Sequence, residues 1–350
     1  MGYRRPGMPV PPRGALLSTL LVGVLALGLG PAPAAAKRFY VDPSGRDGAS
    51  GRSPAHAWRT VHRVNRASLR PGDVVAFRAG RTFADDQLTP RRSGARGAPI
   101  AYRSYGGSAA TLARGAWLAS VSWISVARLR FHGTDQAIAS GRGSGARHIT
   151  VVRNLISDVD VAVNSANPAD RAWRIAHNRI VRTGDSGIIA QGSSFTIAAN
   201  EITRTGLDRG IPYDKHGIYS KSARARIVGN RITGFQAQGI STRFRDAVIE
   251  DNVVRDGGDG IGYWGDDPVA GTTTICGNTI AGVRYGVLIG GDGAAGQTQE
   301  RFRILRNTIT TTGGAGVYNA GGLPRVTAAG NRVRRTRGAQ PARPGPRCHD

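Results

Sequence analysis

Four side chains that can transfer protons or bind anions lie close together in the sequence or one repeat apart: His216, Tyr219, Lys221 and Arg243. A lysine amine can act as a general base, an imidazole or a phenol can carry a proton, and a guanidinium binds a carboxylate through two parallel contacts. This combination suits the removal of a proton from a carbon next to a carboxylate. It requires a fold that brings residues 221 and 243 together, because 22 positions separate them in the chain.

The elements that would bring them together form a repeat. Asparagine recurs at intervals of 22 to 30 residues, with an apolar residue three positions before it and another two positions after it. A second series, Gly-Ile or Gly-Val, lies between the asparagines. A period in this range with two short β-branched stretches in each unit indicates a solenoid. The asparagines are Asn154, Asn178, Asn200, Asn230, Asn252, Asn278, Asn307 and Asn331, and the glycines are Gly187, Gly217, Gly239, Gly260, Gly286 and Gly316.

In a stacked solenoid the aliphatic positions form a continuous core, and we expect the asparagine side chains to hydrogen-bond from coil to coil. Asparagine tolerates a left-handed backbone, so we expect each asparagine to occupy a bend. The sequence has no Leu-x-x-Leu-x-Leu consensus, and few segments have a helical apolar period. The pattern resembles the right-handed parallel β-helix of pectate-lyase-like proteins. That resemblance implies an all-β, single-stranded parallel solenoid with an N-terminal capping helix.

Four segments are expected along the chain. Residues 1–36 combine an arginine-containing start, a short apolar run and a small-residue cleavage site, which is typical of a secretion signal. Residues 37–115 are predicted to form an N-terminal cap and the first coils, with a helix over Trp58–Ala67 that covers open strand edges. Residues 116–335 contain the β-helix repeats, and the Arg-, Pro- and Gly-rich residues 336–350 are predicted to be a disordered basic tail. We therefore expect a secreted monomer without a membrane span.

The charge of the chain points to its partners. The formal net charge is +25, and three of the 48 basic residues are lysines. Such a charge favours a polyanion, namely an acidic polysaccharide, a nucleic acid or an anionic surface. Nucleic acid is disfavoured because the chain is expected to be exported and few stacking aromatics accompany the basic residues. An acidic polysaccharide is the expected partner.

The two cysteines leave a choice open. Cys276 lies beside the Asn278 repeat, and Cys348 lies in the basic tail. Export would permit a disulfide between them, which would hold the tail against the coil. Two separate thiols are the alternative.

The repeat predicts which side chains face outward together. Side chains alternate along a strand, and neighbouring strands lie ~4.8 Å apart. If the residue after each repeated glycine faces the core, Lys221 and Arg243 are outward neighbours on successive coils, and Tyr219 lies beside them. His216 and Asp214 precede the same strand. The surrounding positions supply four candidate substrate-binding residues: Gln191, Ser241, Arg245 and Trp264.

The stacked cations suggest a specific reaction. Two neighbouring cations repel each other, which is unfavourable unless an anion normally lies there. A polymer of uronic acids fits this arrangement. In β-elimination one group neutralises the carboxylate, a base removes the C5 proton, and an acid protonates the leaving glycosidic oxygen. We expect Lys221 to be the base and Arg243 to lie next to the carboxylate or the leaving oxygen, with Tyr219 or His216 as alternative proton carriers.

The same residues resemble a known motif. The β-helical polysaccharide lyases that include alginate lyases and chondroitinase B have a Lys-Ser pair, an asparagine nine residues after the lysine, and an arginine on the next coil. Lys221-Ser222 and Asn230 match that spacing, and Arg243 lies one residue from the family position. The resemblance implies Lys221 as base and Arg243 as acid.

The resemblance leaves the metal open. Asp214 and His216 stand where the motif has Asn and Glu, and Ala225 replaces its first later asparagine. Calcium is therefore a possible cofactor whose usual ligands are not matched, and Asp214 is the remaining candidate ligand.

Three other functions fit the same pattern. Asp185, Asp214 and Asp259 lie at comparable points of their coils, and a glycoside hydrolase uses two acids that flank the bond. A C5-epimerase shares the first step of the lyase reaction. A non-catalytic solenoid would bind acidic glycans or surfaces by charge, and salt would weaken that binding. A lyase product absorbs ultraviolet light through its new double bond, whereas a hydrolase product does not.

Overall fold

The structure is a computed structural model that describes residues 2, 35–141, 143, 145–208, 214–243, 245–265, 270–290, 299–320, 322–323, 325–335 and 348. The predicted secretion signal and the predicted basic tail lie almost entirely outside these residues. In the described part of the chain, no helix is long and apolar enough to cross a membrane.

Short strands make up nearly all of the regular structure. The N-terminal part contains β1 (Arg38–Val41), a 3-10 turn (Pro54–His56), α1 (Val61–Asn65), β2 (Val74–Arg78), β3 (Thr82–Phe83), β4 (Ile100–Tyr105), β5 (Ala110–Leu112) and β6 (Ala116–Trp117). The next coils contain β7 (Ile124–Ala127), β8 (Leu129–His132), β9 (Gln136–Ser140), β10 (Thr150–Val152), β11 (Leu155–Val159), β12 (Val161–Ser165), β13 (Arg174–Ala176), β14 (Arg179–Thr183), β15 (Ile188–Ser193), β16 (Thr196–Ala198) and β17 (Glu201–Thr205). The last coils contain β18 (Ile218–Ala223), β19 (Arg226–Val228), β20 (Arg231–Thr242), β21 (Val248–Glu250), β22 (Val253–Trp264), β23 (Ala270–Cys276), β24 (Thr279–Val283), β25 (Val287–Gly290), β26 (Gln299–Leu305), β27 (Thr308–Thr311), β28 (Val317–Asn319), β29 (Val326–Ala329) and β30 (Arg332–Arg335).

These strands form three faces of a parallel solenoid. Face A is a 12-stranded sheet that runs from β1 to β29, with one strand from each successive coil. Faces B and C belong to one 18-stranded sheet, because the long strands β20 and β22 each run through both faces. Face C contains β9, β12, β15, β18, the ends of β20 and β22, and β25. The predicted all-β parallel solenoid is confirmed, with about 10 turns.

The asparagine column hydrogen-bonds as predicted. The side-chain amide nitrogen of Asn154 donates to the Oδ1 of Asn178 at 3.0 Å, and the same bond repeats down the column to Asn331. Each acceptor Oδ1 also accepts the backbone N–H of the preceding asparagine, as in the bond from Asn154 to Asn178. Because the column is buried, every polar group in it needs such a partner.

The prediction that asparagine itself occupies the left-handed bend is wrong. The residue just before the asparagine has the positive φ, as at Arg153 and His177, where φ is 55°. The asparagine follows the bend and directs its amide along the stack. Residues of several types occupy the bend, so the sequence gives little indication of its place.

The repeated glycines allow successive coils to approach closely. A Cβ atom placed on Gly217 would lie 2.5 Å from the carbonyl oxygen of Gly239 on the next coil. No real Cβ atom is tolerated at that distance, so glycine is required there. The residue that follows each glycine points into the core, as predicted, and Ile218 and Ile240 are fully buried.

The N-terminal helix is shorter than predicted. It covers Val61–Asn65, because Thr60 caps it by accepting the backbone N–H of Arg63, while Trp58 forms a bridge with Val41 instead. Val61 and Val64 are buried in the same core cluster as the first coils.

The choice between a disulfide and two thiols is settled by the fold. Cys276 at the end of β23 forms a disulfide with Cys348, across 72 positions of the chain.

Candidate functional site

The candidate site lies on the outer side of face C, where three columns of side chains run across successive coils. The parallel register aligns Ile189, Tyr219, Ser241, Gly262 and Leu288 in the middle column. Extending that register by two residues aligns the outer column, which contains Gln191, Lys221, Arg243, Trp264 and Gly290. The polar column precedes the middle one by three residues and contains Ser186, His216, Gln238, Asp259 and Tyr285.

Tyr219 is the centre of the first part of the site. The Lys221 Nζ atom lies 5.7 Å from the centre of its ring, and the Arg243 Cζ atom lies 5.5 Å from the same point. The ring of His216 lies 5.2 Å away, centre to centre. The structure therefore brings together all four side chains that the sequence singled out for acid–base chemistry. Lys221, Arg243 and Tyr219 are half-buried.

His216 is held in its neutral form. Its side chain is 3 % exposed, and its backbone N–H donates to the Oγ of Ser186 on the preceding coil. Burial, assisted by the positive charge of Arg243, lowers the pKa of His216 to about 3. Its Nδ1 is enclosed and has no hydrogen-bond partner among the described residues.

An open cavity of about 500 Å³ adjoins this cluster and is the second part of the site. The side chain of Gln238, which lines the cavity, lies over Gly262, and we call the cavity the Gly262 pocket. A Cβ atom on Gly262 would lie 2.2 Å from the Nε2 of Gln238, so glycine leaves the room that the Gln238 amide uses. The indole of Trp264 lies next to Gly290, where a Cβ atom would be 3.3 Å from the ring. The lining residues are His216, Ala237, Gln238, Arg243, Asp259, Trp264, Arg284 and Leu288.

An ion pair forms part of the pocket wall. Arg284 donates from Nε to Oδ1 of Asp259 at 3.0 Å and from Nη2 to Oδ2 at 2.9 Å. The carboxylate also accepts the backbone N–H of Tyr285 at 3.3 Å, and the Arg284 guanidinium lies 5.0 Å from the centre of the Tyr285 ring. Such a two-point contact fixes both partners, so the charge of Asp259 is balanced locally.

The other predicted binding residues are placed differently. Trp264 lines the pocket, and Gln191 pairs with Lys221 one coil towards the N-terminus. Ser241 is fully buried, which corrects the prediction that it is available to a ligand. Arg245 is exposed and lies at the corner that leads to face A, beside Gly271.

The candidate acids have different surroundings. Asp214 is exposed, and the described residues contain no group of three or more His, Cys, Asp or Glu side chains that could hold a metal ion. The described residues therefore do not fit a calcium site at Asp214. Of the three acids considered for a hydrolase, Asp259 lines the pocket, whereas Asp185 accepts the hydroxyl of Ser186.

Sequence reasoning missed Gln238 and Arg284. Gln238 occupies the same position on its coil as His216 and Asp259, so the register alone could have identified it. Arg284 gave no such signal, because its side chain reaches back one coil to Asp259.

The fold and these three columns define a right-handed parallel β-solenoid with an open cavity on one outer face. The family model described as "Right handed beta helix region" matches residues 114–295 and 161–333, and the chain belongs to that family. No curated protein sequence matches the chain.

Several solved structures share the fold. An alginate lyase from a Paenibacillus species has a TM-score of 0.54 and 19 % identity, over 78 % of this chain and 97 % of that one. The GH136 lacto-N-biosidase from Eubacterium ramulus has a TM-score of 0.58 and 12 % identity, over 86 % and 68 %. XylC in complex with xylose has a TM-score of 0.61 and 10 % identity, over 79 % and 69 %. At these identities the likeness concerns the fold alone.

Proposed function

We propose that this protein is a lyase that cleaves an acidic, uronate-containing polysaccharide by β-elimination. The observation that carries the proposal is the placement of Lys221 and Arg243, from successive coils, beside the ring of Tyr219, with Arg243 also lining an open cavity. The net charge of +25 favours an anionic polymer. The shared fold with an alginate lyase adds support, although a lacto-N-biosidase shares it too.

Each side chain has a role in the proposed reaction. Arg243 binds the substrate carboxylate, which makes the proton on the neighbouring C5 more acidic. Lys221, as the neutral amine, takes that proton, the C4–C5 double bond forms, and the C4–O bond breaks with its electron pair on the leaving oxygen. Tyr219 delivers the proton of its hydroxyl group to that oxygen. Atoms and charges balance, and no oxidant or external group is required.

His216 supports this arrangement without titrating at neutral pH. With its pKa lowered to about 3 it carries no charge there, so it adds no positive charge beside Arg243. Its ring lies against Tyr219 and restricts the phenol. A role as acid is therefore less suited to His216 than to Tyr219.

The product distinguishes the proposed reaction from its alternatives. Alginate, pectate, chondroitin and hyaluronan are incubated with the protein, with and without a chelator, and ultraviolet absorbance and new reducing ends are measured together. A lyase gives both signals in equal amounts. Reducing ends without absorbance would replace the lyase with a hydrolase, and inverted C5 configuration without cleavage would replace it with an epimerase. Binding without any turnover would leave a glycan-binding solenoid.

The proposed substrate implies that the protein works outside the cell. The predicted secretion signal over residues 1–36 supports this proposal. N-terminal sequencing of the protein recovered from culture medium tests it. A chain that stays inside the cell with its first residues intact would contradict it.

A further inference from the structure

Two neutral side chains in the Gly262 pocket each keep a hydrogen-bonding atom without a partner. Nδ1 of His216 and Oε1 of Gln238 are enclosed and have none among the described residues. The two side chains are 3 % and 4 % exposed. Other buried atoms share this lack of a partner, among them Oε1 of Gln236 and Oγ of Ser241, but His216 and Gln238 line the cavity. Buried polar atoms nearly always have a partner, and a ligand in the cavity would supply one.

The chemistry of these groups limits what that ligand is. An imidazole and a carboxamide each offer both a donor and an acceptor. If the His216 ring or the Gln238 amide rotates, its enclosed polar atom turns towards the cavity and its other polar atom takes the enclosed position. A hydroxyl group also donates and accepts, so it satisfies either arrangement of His216 or Gln238.

The charges around the pocket are compatible with an acidic sugar. His216 is neutral, Gln238 is uncharged, and the carboxylate of Asp259 is balanced by Arg284 at 2.9 Å. Arg243 lines the same pocket. The described lining therefore contains two arginines and one carboxylate, so a ring that carries a carboxylate is not repelled from it.

The pocket also has an apolar wall. Trp264 and Leu288 line it, and the indole lies beside Gly290, which has no side chain to cover it. A sugar ring has an apolar face that packs against an indole and hydroxyl groups around its rim. The combination of an indole, two neutral amphoteric groups and a balanced ion pair matches one sugar ring.

We propose that the Gly262 pocket is a subsite for one sugar ring with free hydroxyl groups, and that Gln238, with His216, selects against acetylated rings. This inference rests on the proposed function, because it treats the occupant as part of an acidic polysaccharide. An acetyl ester removes the hydroxyl donor that Gln238 and His216 need and adds bulk next to the Gln238 amide.

Binding is tested apart from turnover. Tetrasaccharides of polymannuronate and polygalacturonate, each unmodified or O-acetylated, are titrated into Lys221→Ala protein by calorimetry. We expect the unmodified form of at least one polymer to bind about 10-fold more tightly than its acetylated form, which is the effect of one or two hydrogen bonds. Equal affinity for modified and unmodified sugars would overturn the inference, whether or not the wild type is a lyase.

Two variants identify the selecting group. Gln238→Met keeps the length of the side chain and removes its hydrogen bonds, so the preference for unmodified sugar should fall to less than about 2-fold. Gly262→Ala adds a methyl group where the Gln238 amide lies and should have the same effect without removing any polar group. Gln236→Met is the control, because this glutamine lies on the same strand but does not line the pocket. Unchanged selectivity in both pocket variants, with folding verified by circular dichroism, would overturn the role of Gln238.

The outcomes separate the subsite from the lyase activity. Selective binding without turnover by the wild type would support the subsite and overturn the lyase. Cleavage of a polymer without selective binding would support the lyase and overturn the subsite. If no tetrasaccharide binds and no polymer is cleaved, both proposals are overturned.

Discussion

The asparagine column and the polar column of the candidate site are built by the same stacking, yet they differ in one respect. In the asparagine column the residue type repeats, so each amide nitrogen meets the Oδ1 of an identical neighbour, as Asn200 meets Asn230 at 2.9 Å. In the polar column the type changes at every coil, from His216 to Gln238 to Asp259, and two atoms are left without partners. When the same residue repeats, the side chains on successive coils are hydrogen-bond partners for each other. When the residue type changes, some hydrogen-bonding atoms remain without a protein partner and are left for a ligand. The first column should therefore govern stability and the second one function.

The largest effect is expected at the proposed base. Lys221→Ala should lower kcat by about 10²–10⁴-fold, the range of general acid–base catalysis, with an unchanged thermal midpoint. Initial rates by ultraviolet absorbance and a melting curve measure both. Arg224→Ala is the control, because it removes an exposed cation at the corner after the same strand. If Arg224→Ala lost as much activity as Lys221→Ala, the effect would come from the overall charge.

The second largest effect is expected in the interior of the asparagine column. Asn230→Ala leaves the backbone N–H and the side-chain amide of Asn200 without their acceptor. Buried groups without partners are costly, so the free energy of unfolding should fall by about 2–4 kcal/mol. Gln238→Ala should cost less than about 1 kcal/mol, because its Oε1 has no partner to lose. Urea denaturation of both variants compares the columns directly. Equal losses in the free energy of unfolding would contradict the distinction between the two columns.

Acid should destabilise the protein through His216. Its pKa is about 3 in the folded state, below the ordinary value of 6.5, so the unfolded chain binds the proton first. The contribution to stability is complete above pH 6.5 and is lost as the pH falls towards 3, by at most ~1.4 kcal/mol per pH unit. His216→Gln should flatten that part of the stability profile, whereas replacing the exposed His177 with glutamine should not. Buried Asp170 and Glu300, whose pKa values are raised, act in the opposite direction and are common to all variants.

The smallest effect is expected at the end of the asparagine column. Asn331 accepts the amide of Asn307 but is half-buried, so water can replace it. Asn331→Ala should therefore lower the free energy of unfolding by about 1 kcal/mol, clearly less than Asn230→Ala. Denaturation of the two variants under the same conditions measures the difference. Similar losses would show that burial does not determine how much these hydrogen bonds contribute to the free energy of unfolding.

Periodicity made most of the fold predictable. The asparagine and glycine spacings define the register, and the register alone placed Lys221 next to Arg243. The sequence could not show that Ser241 is covered, since that depends on the lengths and rotamers of its neighbours. The reach of Arg284 back to Asp259 is likewise a property of one side chain's conformation. Positions follow from the repeat, but contacts between long side chains do not.

The variable length of the coils has a practical consequence. The interval from Asn200 to Asn230 is 30 residues and the next one is 22, yet Ile197, Ile227 and Ile249 pair in an unbroken register. The register of the strands therefore does not depend on the number of residues that connect them. The connection between β17 and β18 can be exchanged for a shorter or longer one, and the strands on either side should keep their alignment.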